Sequence, residues 1–124
     1  MGIDVYLRWD GQTKEEKKAQ YTGFSIVHGH VGYLREAYHG EPYATRVLVQ
    51  EAFDDNGSPA VVIPAATLRK RLPAALKAVE ERHTTIYHDS PEAIAEYKKS
   101  YEEFVALAER KEAETGKPVR VVVS

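Results

Sequence analysis

The stretch DSPEAIAEYKKSYEEFVALAERKEAETGKPVRVVV, residues 89–123, decides the fold. Asp89-Ser90-Pro91-Glu92 opens a helix: an oxygen side chain caps the first turn, proline sits where no N–H is needed, and an acid faces the positive end of the dipole. Ile94, Tyr97, Tyr101, Phe104 and Ala108 then return at the spacing of one helical face. Gly116 and Pro118 stop the helix. Directly beyond the stop the period drops to two, with Val119, Val121 and Val123 alternating with Arg120 and Val122. A long amphipathic helix feeding at once into a strand must lay its apolar face on the sheet that the strand joins.

Working outward, Leu68, Leu72, Leu76, Val79, His83 and Ile86 trace a second helical stripe after Pro64. Pro73 lacks an N–H and predicts a kink or break in it. At the other end Ile3, Val5, Leu7 and Trp9 alternate with Asp4, Tyr6 and Arg8, the signature of a strand with one face on the core. Thr13 and Glu16 form a capping box that opens a short polar helix through Gln20. Phe24–Val27 and Val61–Ile63 read as short strands, and residues 54–59 as a turn. Val31, Leu34 and Tyr38 fall at helical spacing, which predicts a short helix over Val31–His39 stopped by Gly40 and Pro42. Ala44–Val49 reads as a strand, or as the start of a helix ending near Phe53. The expectation is one α+β domain over residues 1–124. Its mixed or antiparallel sheet has about four to five strands, with the terminal strands meeting inside it and two long C-terminal helices covering one face.

Composition narrows the chemistry. The chain has no cysteine, which removes disulfides, thiolate metal sites and thiol nucleophiles. A net charge of −2 argues against nucleic acid as a partner. The one tight basic cluster, Arg69-Lys70-Arg71, would spread around a helix. No stretch approaches the roughly 20 apolar residues of a membrane span, and Met1-Gly2-Ile3-Asp4-Val5 lacks the basic start and apolar run of a secretory signal. The expected setting is cytoplasmic, with no membrane partner.

One region departs from the average. Tyr21 to Arg46 holds four of the eight tyrosines and three of the five histidines, so polar aromatic chemistry is concentrated there. Tyrosine and histidine offer flat stacking surfaces, and arginine offers a donor fork for anionic oxygen. The candidate ligand-binding residues are His28, His30, Tyr33, Arg35, Tyr38, His39, Tyr43 and Arg46. They point to non-catalytic binding of a small anionic molecule, nucleotide-like, in which Arg35 meets phosphate and a tyrosine stacks on a base. No G-x-x-x-x-G-K-[ST] or G-x-G-x-x-G motif is present, and no cofactor is expected. A different reading is a hydrolase of a phosphate ester, using His39 or a metal on His28 and His30 with His39, Glu36 or Glu41 as third ligand. In a further reading the tyrosine-rich segment is a protein interface, homodimeric in the simplest case. His83 and His88 flank a helix end, where the dipole accounts for His83. Tyr97 and Tyr101 belong to a core stripe, with Lys98 and Lys99 on its wet side.

Overall fold

Ile3, Val5 and Leu7 have no exposed surface, and the strand that carries them, β1 (Gly2–Arg8), lies in the middle of the sheet. The computed structural model describes residues 2–21, 29–37, 40–54 and 60–124. Within them, β2 (Tyr33–Ala37), β3 (Val61–Ile63) and β4 (Val119–Val123) join β1 in the order β2-β1-β4-β3, every pair antiparallel. The N- and C-terminal strands are neighbours, with Val5 opposite Val123 and Leu7 opposite Val121. Period two puts Ile3, Val5, Leu7, Leu34, Val119, Val121 and Ile63 on one face, and all seven are fully buried there.

Two long helices cover that face: α4 (Ala65–Thr85) and α5 (Pro91–Thr115). The start of α5 follows its sequence signals, since Ser90 Oγ accepts the Ala93 N–H at 3.2 Å and Pro91 occupies the first turn. Gly116 ends the helix in the left-handed region at φ 72°, where a side chain would be strained. The break predicted at Pro73 does not occur, and α4 is continuous through it. Pro73 is on the exposed side, so the hydrogen bond it removes is lost toward water. Interior proline costs about 3 kcal/mol, which the burial of Leu68, Leu72 and Val79 outweighs at about 1.5–3 kcal/mol each. Among the described residues no helix is long and apolar enough to cross a membrane.

The short elements depend on partners remote in the chain. α1 (Lys14–Tyr21) opens on the reciprocal box, with Thr13 N–H to Glu16 Oε1 at 2.9 Å and Glu16 N–H to Thr13 Oγ1 at 3.1 Å. Buried Gln20 ties it to the sheet by donating to the carbonyls of Leu7, Val31 and Gly32. Where a helix was expected over Val31–His39, the chain makes a 3₁₀ turn at Gly29–Val31 and then β2. The same apolar spacing also satisfies a strand, and pairing with β1 supplies ladder bonds that a nine-residue helix could not match. The Ala44–Val49 ambiguity resolves to helix, as α2 (Ala44–Leu48) followed by α3 (Gln50–Asp54). Its first N–H groups are satisfied from another element. The Glu36 carboxylate on β2 accepts from Ala44 N at 2.8 Å, Thr45 N at 3.1 Å and Thr45 Oγ1 at 2.6 Å. The expected strand at Phe24–Val27 and most of the expected turn at 54–59 lie outside the described residues.

Glu36 is itself held by Arg82, whose side chain is wholly buried in the last turn of α4. Nε lies 3.2 Å from Glu36 Oε2, close enough for an ion pair but not aligned for a hydrogen bond. The two Nη groups donate to the carbonyls of Ala37 (2.7 Å), Gly40 and Pro42 (3.3 Å) and to the Tyr87 hydroxyl (3.3 Å). The Tyr43 ring lies 4.9 Å from the guanidinium carbon. One arginine therefore gathers the exit of β2, the entry to α2 and the end of α4.

Candidate functional site

The edge strand β2 meets the C-terminal end of α4 and the first turns of α5 at a concavity of about 270 Å³. It is lined by Arg35, Glu36 and Ala37 from β2, Arg82 and His83 from α4, Tyr87 and Asp89 from the connection, and Tyr97 from α5. Glu36 and Arg82 neutralise each other at its floor. The groups with chemistry to spare are His83, Arg35 and the tyrosine rings.

His83 is held on three sides. Its Nδ1 is 2.7 Å from Asp89 Oδ2, and its ring stacks on Tyr97 at 4.1 Å and tilts against Tyr87 at 5.1 Å. The Asp89 N–H returns to the His83 carbonyl at 2.8 Å, so backbone and side chain close the α4–α5 connection together. A carboxylate on Nδ1 favours the tautomer with its proton there, which leaves the Nε2 lone pair on the opposite edge. Among the described residues Nε2 has no hydrogen-bond partner, and it is not sealed inside the fold. The arrangement can donate to or accept from a guest, and it can move a proton.

Arg35 sits on the outer face of β2. Its Nη1 donates to Asp4 Oδ1 at 2.9 Å, the oxygen that also takes the Tyr33 hydroxyl at 2.6 Å. Gly2, lacking a side chain, leaves room for the guanidinium, since a Cβ there would come within 3.1 Å of it. Burial and the bond to Asp4 push the Tyr33 phenol up to about 12. Tyr33 has no exposed surface and stacks on Tyr6 at 5.3 Å, which in turn meets Tyr21 at 5.0 Å. Arg8 lies over Tyr6 and Tyr21 and donates to the Tyr21 hydroxyl. On this face the aromatic rings brace one another, and Tyr33 offers a guest no surface.

The eight candidate residues are therefore dispersed. His28, Tyr38 and His39 lie outside the described residues. His30 borders a separate cleft of about 290 Å³ with Trp9, Val31 and Leu107, its Nδ1 3.7 Å from Glu103. Tyr43 and Arg46 line a shallow hollow with Glu41 and Gln50, where Arg46 pairs with Glu41 at 3.7 Å. Arg35 alone of the described candidates borders the histidine-containing concavity. For the metal reading, Glu36 is occupied by four partners and Glu41 faces Arg46. Among the described residues no group of three or more His, Asp or Glu side chains is placed to hold a metal.

Sequence reasoning missed His83, Asp89, Arg82 and Tyr97 as a cluster. Asp89 and His83 each had a sufficient local explanation, as a helix start and a dipole complement, and Arg82 falls on an apolar stripe where arginine is rarely placed. A carboxylate and an imidazole on either side of one tight helix connection was the available signal. Comparison with protein-family models, curated proteins and solved structures yields no match.

Proposed function

We propose that this chain binds a small, nucleotide-like anionic ligand in the concavity between β2 and the facing ends of α4 and α5. The observation that carries the reading is His83, anchored through Nδ1 by Asp89 with Nε2 unpartnered among the described residues, in a cavity that Arg35 also borders. The guanidinium of Arg35 and, in the imidazolium form of His83, its Nε2 N–H are the donors for the anion, while Tyr87 and Tyr97 are the aromatic walls. A cavity of about 270 Å³ suits a mononucleotide-sized guest better than a polymer. Thermal shift with nucleoside monophosphates, cyclic dinucleotides and pyrophosphate tests it. A ligand at about one hundred times its Kd adds about 2.7 kcal/mol to the folded state, which raises the melting temperature by about 10 °C for a domain of this size. His83→Gln and Arg35→Ala should each shrink the shift, measured against the ligand-free melt of the same variant. No shift with any of these anions at millimolar concentration removes the reading.

The same Asp89–His83 geometry favours a second reading, in which Nε2 acts as a general base on the bound ligand. A phosphate-ester hydrolase would then turn over phosphoester probes and lose turnover in Asp89→Asn, whereas a binder leaves them intact.

A further inference from the structure

The hydrogen-bond parity of the sheet gives the concavity a feature that no side chain provides. Asp4 and Ser124 exchange both main-chain bonds, at 3.2 and 2.8 Å, so Asp4, Tyr6 and Arg8 turn their backbone groups toward β4. Ile3, Val5 and Leu7 consequently turn theirs toward β2, as the Leu7 N–H to Gly32 carbonyl bond of 2.9 Å bears out. Given the register Ile3↔Glu36 and Val5↔Leu34, it is Leu34 and Glu36 that bond to β1. Tyr33, Arg35 and Ala37 point their N–H and C=O groups away, toward the side of β2 that no strand among the described residues pairs. The Ala37 carbonyl is taken by Arg82. Among the described residues the N–H and C=O of Arg35 have no partner, and Arg35 borders the concavity beside His83 and Tyr97.

We propose that this donor and acceptor of Arg35 read the hydrogen-bonding edge of a nucleobase. An extended residue presents its N–H and C=O side by side and coplanar, which is complementary to the adjacent acceptor and donor of a base. The base takes the place of a fifth strand on the β2 edge, while its phosphate reaches His83 Nε2 and the Arg35 guanidinium. The inference rests on the anionic-ligand reading for the second half of the molecule, and adds to it the class of the first half.

Calorimetric titration with uridine and adenosine monophosphate, their N3-methyl and N6,N6-dimethyl counterparts, and ribose 5-phosphate separates the two claims. Expected is binding of at least one unmodified nucleotide, about tenfold weaker on methylation of its edge and weaker again for ribose 5-phosphate. Arg35→Ala removes only the guanidinium, and Arg35→Pro also removes an N–H that lies outside the ladder, where an edge strand tolerates proline. Arg35→Pro should bind about tenfold more weakly than Arg35→Ala. If Arg35→Pro does not fold, hydrogen exchange at the Arg35 amide of the parent protein decides, because base pairing must slow it. Equal affinity for methylated and unmodified nucleotides, or an Arg35 amide whose exchange nucleotide leaves unchanged, overturns the edge reading and leaves anion binding standing. Absence of binding by every probe overturns both.

Discussion

Replacing Arg82 with methionine tests the claim that one buried cation organises the region around the site. The substitution keeps most of the volume and removes the guanidinium from a position with no exposed side-chain surface. Glu36 loses the one cation that pairs with it among the described residues, but keeps the donors of Ala44 and Thr45. Breaking a buried pair by deleting one partner costs about 3–5 kcal/mol. The surviving donors argue for the lower half of that range, and the orphaned Ala37 and Pro42 carbonyls add about 1 kcal/mol. The Gly40 carbonyl adds little, since Gly40 is exposed and water replaces the arginine there. The expected loss is about 4 kcal/mol, a large share of the roughly 5–15 kcal/mol available to such a domain. With an unfolding entropy of about 2.1 cal/mol/K per residue over 124 residues, the melting temperature should fall by about 15 °C. Urea unfolding followed by circular dichroism gives the same quantity independently, with an unchanged slope if the denatured state is unaffected. Glu36→Gln alone should cost less, and the double variant should cost about 1–3 kcal/mol less than the two singles together, because the charges neutralise each other. A loss below about 1 kcal/mol for Arg82→Met, or strict additivity in the double, would refute the reasoning.

Tyr33 predicts an alkaline transition. Its folded-state pKa of about 12 lies above the ordinary 10.0, so the folded state holds the proton more tightly and stability is lost as pH rises between these values. Tyr6 shifts the same way, by burial first and the Asp4 carboxylate second. Tyr33→Phe should flatten part of the pH dependence of urea midpoints in that window, and tyrosinate absorbance should show one phenol fewer titrating late. Pro73→Ala should stabilise by about 1–3 kcal/mol in thermal melts, because α4 is continuous there; a decrease would mean that the helix is kinked at Pro73 after all. Gly29→Ala should destabilise by about 1–3 kcal/mol, since its Cβ would collide with the backbone carbonyl of Ser100 on α5 and one segment must move. Ser90→Ala should cost about 1 kcal/mol in the same melts through loss of the α5 cap.

Sequence by itself determined the elements whose signals are local and redundant. The alternation of β1 and β4, the stripes of α4 and α5, the Thr13–Glu16 box, the Ser90 cap and the Gly116 stop each depend on residues within a few positions of one another. The α+β class followed from their order. Tertiary structure decided the rest because its causes are remote in the chain. Residues 33–37 became a strand because β1 offers a ladder, α2 became a helix because Glu36 caps it from β2, and α4 passed Pro73 because Leu68 and Leu72 before it and Ala75 and Val79 after it are buried in the core. The candidate site divides in the same way. Tyr33 was legible as a polar aromatic but is consumed by Asp4 and Tyr6, whereas the Asp89–His83 pair and the open edge of Arg35 exist only once a helix connection and a strand register bring them together. Short-range periodicity records which face a residue buries, and partners that meet across dozens of residues leave no such periodic trace.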